Sequence, residues 1–282
     1  MQGEKAVRVS VDTETMYYHI PVLHKLLQPR RNVVLLVQKR VLRLPFELHK
    51  VLLGHISVPL RQEAQVDEAA FTVELGVLMA HFGSMLGAAQ RPLRTGVTTL
   101  SFDDDMLTVT TEGDTNTRLS TTQPCTRCSF DNLMSGTIDI DASISLLRSD
   151  LLAVLTRPSD VCIRMDGLDA FTRMRLTVGA SCLEIIKNAA GDDVPPPPED
   201  VPLKPRCIVP EMRFPHHEVS HLMNAMSPCA RVILGVAVDA GLLTVQAGSN
   251  GAEIRALGTQ SVCLFIVAMP ITNTRRAVSL LE

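Results

Sequence analysis

The sequence predicts an α+β fold built from four copies of one repeat, in which a strand and a helix are followed by three strands. The same order of apolar patterns recurs four times along the chain, and turn-forming residues separate the segments. With Val7, Phe71, Thr137 and Met212 as first-strand markers, successive repeats are offset by 64, 66 and 75 residues. Near-equal offsets favour a duplicated folding unit over an irregular mixture of strands and helices.

The second repeat has the clearest pattern. Phe71–Leu75 alternates apolar and polar residues, as a half-buried strand does, and Gly76–Leu86 carries apolar residues at helical spacing. Gly87 is suited to end that helix. Three alternating strands are predicted next, separated by turns at Asp103–Asp105 and Gly113. These strands are Val97–Phe102, Met106–Thr111 and Arg118–Thr122.

The first repeat follows the same order. Val7–Val11 is predicted as a strand and Ile20–Leu27 as a short helix, with Pro21 in its first turn, where a missing amide costs no helical hydrogen bond. The three strands predicted after the helix are Val33–Gln38, Val41–Phe46 and His55–Leu60.

The third and fourth repeats complete the series. In the third, strand Thr137–Asp141 and helix Ser145–Leu155 precede strands Val161–Met165, Arg173–Val178 and Cys182–Lys187. In the fourth, strand Met212–Phe214 and helix His217–Met226 precede strands Arg231–Val238, Leu242–Ala247 and Val262–Met269. The longer offset before the fourth repeat coincides with a proline-rich loop, residues 192–206.

Two repeats are expected to share one core, with two helices side by side across curved antiparallel sheets. This predicts an N-terminal domain over residues 1–123, a polar connector over 124–135 and a C-terminal domain over 136–282.

Composition limits the classes of function. The 282 residues are 46% hydrophobic and include seven scattered cysteines, which is typical of a reduced, soluble intracellular protein. We expect no secretory signal and no membrane span, because the apolar runs are short. Cys125-x-x-Cys128 lacks a second ligand pair, so we expect neither a metal site nor another cofactor. A net charge of −3 argues against a strongly basic nucleic-acid binder, although it allows a single basic surface.

This architecture resembles the eukaryotic sliding clamps, the family of proliferating cell nuclear antigen, and its last strand Val262–Ile271 is similar to the family's terminal strand. Phe71–Gly87 and Arg175–Glu184 resemble the second strand and helix, and a strand-turn-strand element, of the Rad-one-type subunit of the nine-one-one checkpoint clamp. A Hus-one-type subunit stays open. The resemblance implies a nuclear heterotrimer with two other clamp-like subunits, placed around double-stranded DNA by a clamp loader and serving as a platform in DNA damage response and repair.

Helices line the DNA hole in this family, so the resemblance implies that polar positions on or near the four helices face DNA. Contacts of this kind attract phosphates without reading sequence. The candidate residues are His24, Lys25, Arg30, Arg31, His81, Arg91, Arg94, Arg148, Arg157, His217 and His221. They are also compatible with ordinary solvated helix faces.

The resemblance further implies that the ring closes by adding the edge strand of one subunit to that of the next. The implied edges are Thr117–Gln123 in the first domain and Cys182–Asn188 in the second. The candidate interface residues are Arg118, Leu119, Thr121 and Thr122 on the first edge and Leu183, Glu184, Ile185 and Lys187 on the second. Charge on the two edges would tune the choice of partner.

No catalytic constellation stands out in the sequence, so we do not expect an enzyme. The competing hypothesis is a metal-dependent nuclease that uses Asp103–Asp105, although aspartates are common in hairpin turns of this kind. Three further alternatives stay open: a viral-type DNA polymerase processivity factor, a replicative homotrimeric clamp, and an α+β scaffold with no DNA function.

Overall fold

A computed structural model describes most of the chain, in stretches separated by gaps. The described residues are 6–27, 32–48, 52–86, 91–113, 117–129, 140–168, 171–188, 192–195, 206–226, 230–238, 242–247 and 264–268. The chain forms two compact units. The first comprises Met1–Leu48, Gly54–Asn132 and Ala252–Leu264, and the second comprises His49–Leu53, Leu133–Gly251 and Phe265–Glu282. Each unit contains most of two repeats.

The order of one strand, one helix and three strands, which the sequence predicts, occurs four times. The first repeat consists of β1 (Val7–Asp12), α1 (Thr13–Leu27), β2 (Asn32–Gln38), β3 (Val41–Leu48) and β4 (Leu52–Pro59). The second consists of β5 (Glu68–Glu74), α2 (Leu75–Gly83), a 3-10 turn (Ser84–Leu86), a short helix α3 (Arg91–Arg94), β6 (Val97–Asp103), β7 (Met106–Glu112) and β8 (Arg118–Cys128).

The second compact unit repeats the order. The third repeat consists of β9 (Ala142–Leu147), α4 (Arg148–Val154), β10 (Val161–Leu168), β11 (Phe171–Val178) and β12 (Ser181–Asn188). The fourth consists of β13 (Arg206–Phe214), α5 (His216–Ala225), β14 (Arg231–Ala237), β15 (Leu242–Ala247) and β16 (Leu264–Ala268). Among the described residues, none of the helices combines the length and apolar character of a membrane span.

Helix α1 differs most from its prediction, because it begins at Thr13 and not at Ile20, so Pro21 lies inside it. Two hydrogen bonds fix the earlier start. The Thr13 amide donates to the Gly96 carbonyl at 3.2 Å, and the Thr13 hydroxyl lies 2.9 Å from that of Thr98. Burial of an apolar stripe stabilises the added turns. The stripe consists of Met16, Ile20, Leu23 and Leu27.

Several other boundaries were also predicted wrongly. Residues 124–128, predicted to begin the connector, continue β8, and residues 130–135 lie outside the described residues. The first strand of the third repeat is Ala142–Leu147 and not Thr137–Asp141. Of the latter, 137–139 lie outside the described residues and 140–141 are not a strand. In this short strand Ile144 and Leu146 are buried, and Ser143 and Ser145, which alternate with them, are not.

Within each compact unit, the two repeats exchange their first strands. In the first unit β1 pairs antiparallel with β6, and β5 pairs antiparallel with β2. In the second, β9 pairs antiparallel with β14, and β13 pairs antiparallel with β10. Consequently neither repeat of a unit completes its sheet without the other.

The sheets follow from this exchange. The strand order of the first unit is β1-β6-β7-β8-β5-β2-β3-β4, and the second unit has two sheets, β16-β15-β14-β9 and β12-β11-β10-β13. Strand β8 is 11 residues long, and its last part also pairs with β5, at Cys125–Cys128. As predicted, the helices lie in pairs, with α1 against α2 and α4 against α5. Phe82 and Phe214 are among the largest fully buried side chains.

Candidate nucleic-acid interface and strand edges

The outward faces of the four repeat helices are weakly charged in the described residues. On α1 the exposed charged residues are Glu14 and Lys25, and on α4 the exposed charged residue is Asp150. The outward face of α2 is uncharged, with Met79 and Ala80 among its residues. Helix α5 presents polar side chains at helical spacing, namely His217, His221 and Asn224. A surface of this kind attracts phosphates weakly at neutral pH.

Several predicted DNA-facing residues are accessible. Lys25, His217 and His221 are exposed on their helices, His24 is half-buried, and Arg157 is exposed just after α4. Their contact with DNA stays a prediction. Arg30 and Arg31, like the side chain of Arg91, lie outside the described residues.

His81 was predicted wrongly to face DNA, because its side chain is only 2% exposed. Its Nδ1 lies 2.8 Å from the Thr121 hydroxyl and its Nε2 lies 3.0 Å from the Thr111 hydroxyl. Burial lowers the pKa of His81 to about 4, so the ring is neutral at pH 7. The imidazole therefore connects α2 to β7 and β8 and does not attract phosphate.

The same hydrogen-bond network continues to α1. The Thr111 hydroxyl lies 2.8 Å from that of Thr98, which in turn lies 2.9 Å from that of Thr13. A chain of four threonine hydroxyls and one imidazole thus joins the start of α1 to β8. Because both ring nitrogens of His81 and all four threonine hydroxyls of this network have partners, the network fixes the position of each element it touches.

Two predicted DNA-facing arginines make contacts within the protein. The Arg94 Nε donates to the Met85 carbonyl at 2.7 Å, and its guanidinium carbon lies 4.9 Å from the centre of the Tyr17 ring. The Arg148 Nε donates at 3.2 Å to the carbonyl of Met226, the residue that follows the last residue of α5. A cation at a helix C-terminus stabilises its unpaired carbonyls. Both side chains therefore support helices, and any DNA contact by them stays a prediction.

The direction of the backbone hydrogen-bonding groups of β8 shows which of them point away from β7. Cys125 donates its amide to the Asp105 carbonyl, and the Thr117 carbonyl accepts from Gly113, so odd-numbered residues of β8 face β7. Hydrogen-bonding groups alternate along an antiparallel strand, so the even-numbered residues face the other way. Pairing with β5 uses this second side from Cys125 onward. Pro124, which has no amide hydrogen, separates the paired part from the part before it.

The outward backbone positions before Pro124 are therefore Arg118, Ser120 and Thr122. Exposed side chains alternate with half-buried ones here. Arg118 and Thr122 are exposed, whereas Leu119 and Thr121 are half-buried. Arg118 lies 3.7 Å from the Glu112 carboxylate, which is also exposed, so this ion pair leaves the cation accessible. These features match a strand edge that can accept another strand, although the interface itself stays a prediction.

Strand β12 lies at the edge of its sheet. Leu183 and Ile185 are half-buried, and Glu184 is exposed and accepts from Arg175 Nη2 at 3.0 Å. Lys187 was predicted wrongly to offer its charge to a partner subunit. It is 5% exposed and its Nζ is paired with the carboxylate of Asp193, a residue of the segment that follows β12.

The features that suggested metal or nuclease chemistry have structural explanations. Asp104 lies in the two-residue turn of the β6–β7 hairpin with a φ of 49°, a conformation that Asp tolerates better than most residues. No group of three or more metal-ligating side chains occurs among the described residues. Cys125 and Cys128 are three residues apart in one strand, so their side chains point to opposite faces of the sheet.

Sequence reasoning missed the buried polar network around His81 and the contact between Lys187 and Asp193. The threonines of the network occupy ordinary alternating strand positions, and only the tertiary fold brings them to His81. Asp193 lies in the proline-rich loop 192–206, which carries no periodic pattern. The structure nevertheless describes residues 192–195 lying against β12.

The chain therefore consists of four strand-helix-strand repeats that exchange their first strands in pairs. Structural comparison shows this fold directly. The chain is similar to the crystal structure of the PCNA2–PCNA3 complex from Sulfolobus tokodaii, with a TM-score of 0.61, 12% sequence identity and coverage of 95% of this chain and 99% of the matched chain.

A second similar structure is proliferating cellular nuclear antigen from Entamoeba histolytica. The TM-score is 0.61 at 10% identity, and the match covers 94% of this chain and 98% of the other. The predicted fold class, an α+β sliding-clamp fold, is therefore confirmed. Comparison with protein-family models and with curated protein sequences found no match.

Proposed function

We propose that this chain is a subunit of a ring that encircles double-stranded DNA and acts as a platform for other proteins, without catalysis of its own. The observation that carries the proposal is the clamp fold over nearly the whole chain, together with two strand edges whose outward backbone groups have no partner over several residues within the part of the chain that the structure describes. A clamp holds DNA by topology, so its inner surface needs only a weak, sequence-independent attraction.

The weakly charged helix faces agree with this mode of binding. Lys25, Arg157, His217 and His221 would meet phosphates, with Arg30 and Arg31 as further candidates from the sequence. Few basic side chains would contact phosphates, so few counterions would be released from the DNA and the affinity for open DNA would be low. Retention would then depend on closure of the ring. This distinguishes a clamp from a protein that binds DNA through a basic patch.

The test is retention on closed and open DNA. The complex that contains this chain is purified from native cells and loaded onto a nicked plasmid. The plasmid is washed at high salt and is then cut once with a restriction enzyme. We expect retention on the circle and loss from the linear product, because only topology resists salt screening. Equal release from both forms would refute the proposal.

The finer proposal is a nuclear checkpoint heterotrimer of the nine-one-one type, loaded at damaged DNA by a clamp loader. It is supported by the resemblance of Phe71–Gly87 and Arg175–Glu184 to the Rad-one-type subunit, and by the similarity to a structure that its name describes as a complex of two PCNA proteins. Purification from native cells should yield two different clamp-like chains in amounts equal to this one.

Two other outcomes would replace the finer proposal. A stable homotrimer of the purified chain would favour a replicative clamp. Tight DNA binding by the isolated monomer would favour a viral-type polymerase processivity factor.

A further inference from the structure

The outer edge of β12 is free along only part of its length. Asn188 donates its amide to the Asp192 carbonyl at 3.1 Å, and the Ile186 carbonyl accepts from Val194 at 3.1 Å. Both groups point away from β11, so even-numbered residues of β12 face outward and odd-numbered ones face β11. The remaining outward groups, which have no backbone partner among the described residues, are the amides and carbonyls of Cys182 and Glu184 and the amide of Ile186.

The segment Asp192–Pro195, which we call the edge clip, covers the other end of the edge. Besides the two backbone hydrogen bonds, the Asp192 amide donates to the Asn188 Oδ1 at 2.9 Å. Asp193 forms an antiparallel bridge with Lys187. The clip thus occupies the place that the next strand of the sheet would take.

Asp193 holds the clip in position by its charge. Its carboxylate pairs with the Nζ of Lys187, which is buried, and lies 3.9 Å from Nη2 of Arg231 on β14. Arg231 also donates from Nε to the Ser145 hydroxyl of β9 at 3.3 Å. Because a buried ammonium without a counter-ion is costly, Lys187 favours the closed clip.

We infer that the edge clip sets the length and register of the strand that β12 can accept, with Asp193 as its lock. The inference rests on the proposed function, since the occupant is the antiparallel edge strand of a neighbouring clamp-fold subunit. Such a strand gains two hydrogen bonds at Cys182, two at Glu184 and one at the Ile186 amide. A partner strand that is shifted toward Asn188 would collide with the edge clip, so the clip excludes that register.

The chemistry of the occupant follows from the side chains on the edge. Glu184 is exposed, so a basic or neutral side chain opposite it is favoured and an acidic one is disfavoured. Leu183 and Ile185 are half-buried on the other face, where an apolar side chain of the partner strand completes their burial. Opening of the clip adds two backbone groups, the Ile186 carbonyl and the Asn188 amide, and permits a longer strand.

Amide hydrogen exchange of the full-length chain, resolved by residue, tests the clip without any partner. Amides that face β11, at Leu183, Ile185 and Lys187, are expected to exchange slowly. Those of Cys182, Glu184 and Ile186 should exchange at least 10-fold faster, and that of Asn188 should be slow again. Slow exchange at Cys182 and Glu184, or fast exchange at Asn188, would overturn the inference.

The lock is tested by Asp193→Asn, with Asp150→Asn on the exposed face of α4 as the matched control. We expect exchange at Asn188 to rise at least 10-fold in Asp193→Asn while Lys187 stays slow, and the control to leave both unchanged. If Asp193→Asn disrupts the fold, the double variant Lys187→Met with Asp193→Asn removes the buried charge as well and carries the same expectation. An Asn188 amide that stays slow in a folded variant would contradict the lock.

Exchange in the complex purified from native cells tests the occupant. Protection should appear at Cys182, Glu184 and Ile186, with no change at Asn188. Protection elsewhere, with these amides still fast, would refute the docking edge but leave the clip intact. Failure to find any clamp-like partner would instead count against the proposed function, so the two failures are distinguishable.

Discussion

Among the described residues, the buried polar side chains of the first compact unit are neutral, whereas those of the second include two charged ones, Asp166 and Lys187. The first unit buries histidine, threonine and glutamine side chains, among them His19, His81 and Gln123. The second buries Asp166, which lies 3.0 Å from Arg164 Nε and 3.2 Å from Arg173 Nη2, and it buries Lys187. One topology is therefore stabilised by two kinds of polar interaction that respond differently to pH and mutation.

The way each unit joins its sheets shows the same contrast. In the first, β8 passes from one group of strands to the other and pairs with β5 through backbone hydrogen bonds. In the second, the described part of β12 has no such pairing with β9. There the carboxylate of Asp193 links Lys187 to Arg231. The first unit therefore uses backbone hydrogen bonds at this place, and the second uses charged side chains.

The largest expected effect of this difference is a greater acid sensitivity of the first unit than of the second. Burial lowers the pKa of His19 and His81 to about 4, and burial together with the Arg43 cation lowers that of His55 to about 4. Between pH 6.5 and 4 the unfolded chain then binds more protons than the folded chain. Stability is full above pH 6.5 and declines as the pH falls toward 4, by about 3 kcal/mol for a fully buried histidine.

The chain carries its own probe for this prediction. It has no tryptophan and only two tyrosines, Tyr17 and Tyr18, both in α1 of the first unit. Tyrosine fluorescence during urea unfolding at pH 7 and pH 5 should show a midpoint that falls with pH. Circular dichroism should show a second, less shifted transition. Equal shifts of both transitions would show that the units do not differ in this way.

Close backbone approaches provide the next largest effect. A Cβ on Gly96 would collide with the backbone carbonyl of Glu112, while one on Gly235 would collide with the Thr244 hydroxyl, which can rotate. We expect Gly96→Ala to destabilise the first unit by about 3 kcal/mol and Gly235→Ala to destabilise the second by about 1 kcal/mol. Urea midpoints from fluorescence and circular dichroism check this order. A larger effect of Gly235→Ala would show that the contact at Gly235 is the less able to adjust of the two.

The charged join of the second unit gives a smaller effect, because Asp193 is partly exposed. Asp193→Ala should lower the stability of the second unit by about 2 kcal/mol, between the values for exposed and buried ion pairs. Adding Lys187→Met should restore most of the loss, because it removes the unpaired buried charge. The tyrosine transition is the internal control and should not move. A double variant less stable than Asp193→Ala would show that Lys187 contributes by packing instead.

The order of elements could be predicted from the sequence because it depends on local periodicity. Leu242–Ala247 was predicted with its observed bounds, since turn residues flank a short apolar strand. The start of α1 was missed because Pro21 suggested a first turn, whereas the hydrogen bond from Thr13 to Thr98 connects residues 85 positions apart. No local pattern contains such a contact, and the same holds for the exchange of first strands between repeats.

The candidate site was harder to predict than the fold, because position on a helix does not decide which way a side chain faces. His81 and Lys25 both occur in predicted helices, yet His81 is buried and Lys25 is exposed. Lys187 occupies a position in the alternating pattern of an edge strand where an exposed side chain was expected. The segment that contains Asp193 has no periodic pattern, and it covers Lys187. The local sequence did not indicate whether His81 and Lys187 would be buried. The partner of His81, Thr121, is 40 residues away, and the partner of Lys187, Asp193, lies in a loop without a periodic pattern.

The smallest expected effect tests whether the neutral network of the first unit is specific. Thr121→Val keeps the size of the side chain but removes the hydroxyl 2.8 Å from His81 Nδ1, leaving one ring nitrogen without its partner. An unsatisfied buried nitrogen costs about 1 kcal/mol, so the tyrosine transition should shift to lower urea by that amount. Thr122→Val, one residue along and exposed, is the matched control and should shift it by less than about 0.5 kcal/mol. Equal effects of the two variants would mean that strand propensity matters here and the contact between Thr121 and His81 does not, in which case the contact with Thr111 would be the one that holds the imidazole.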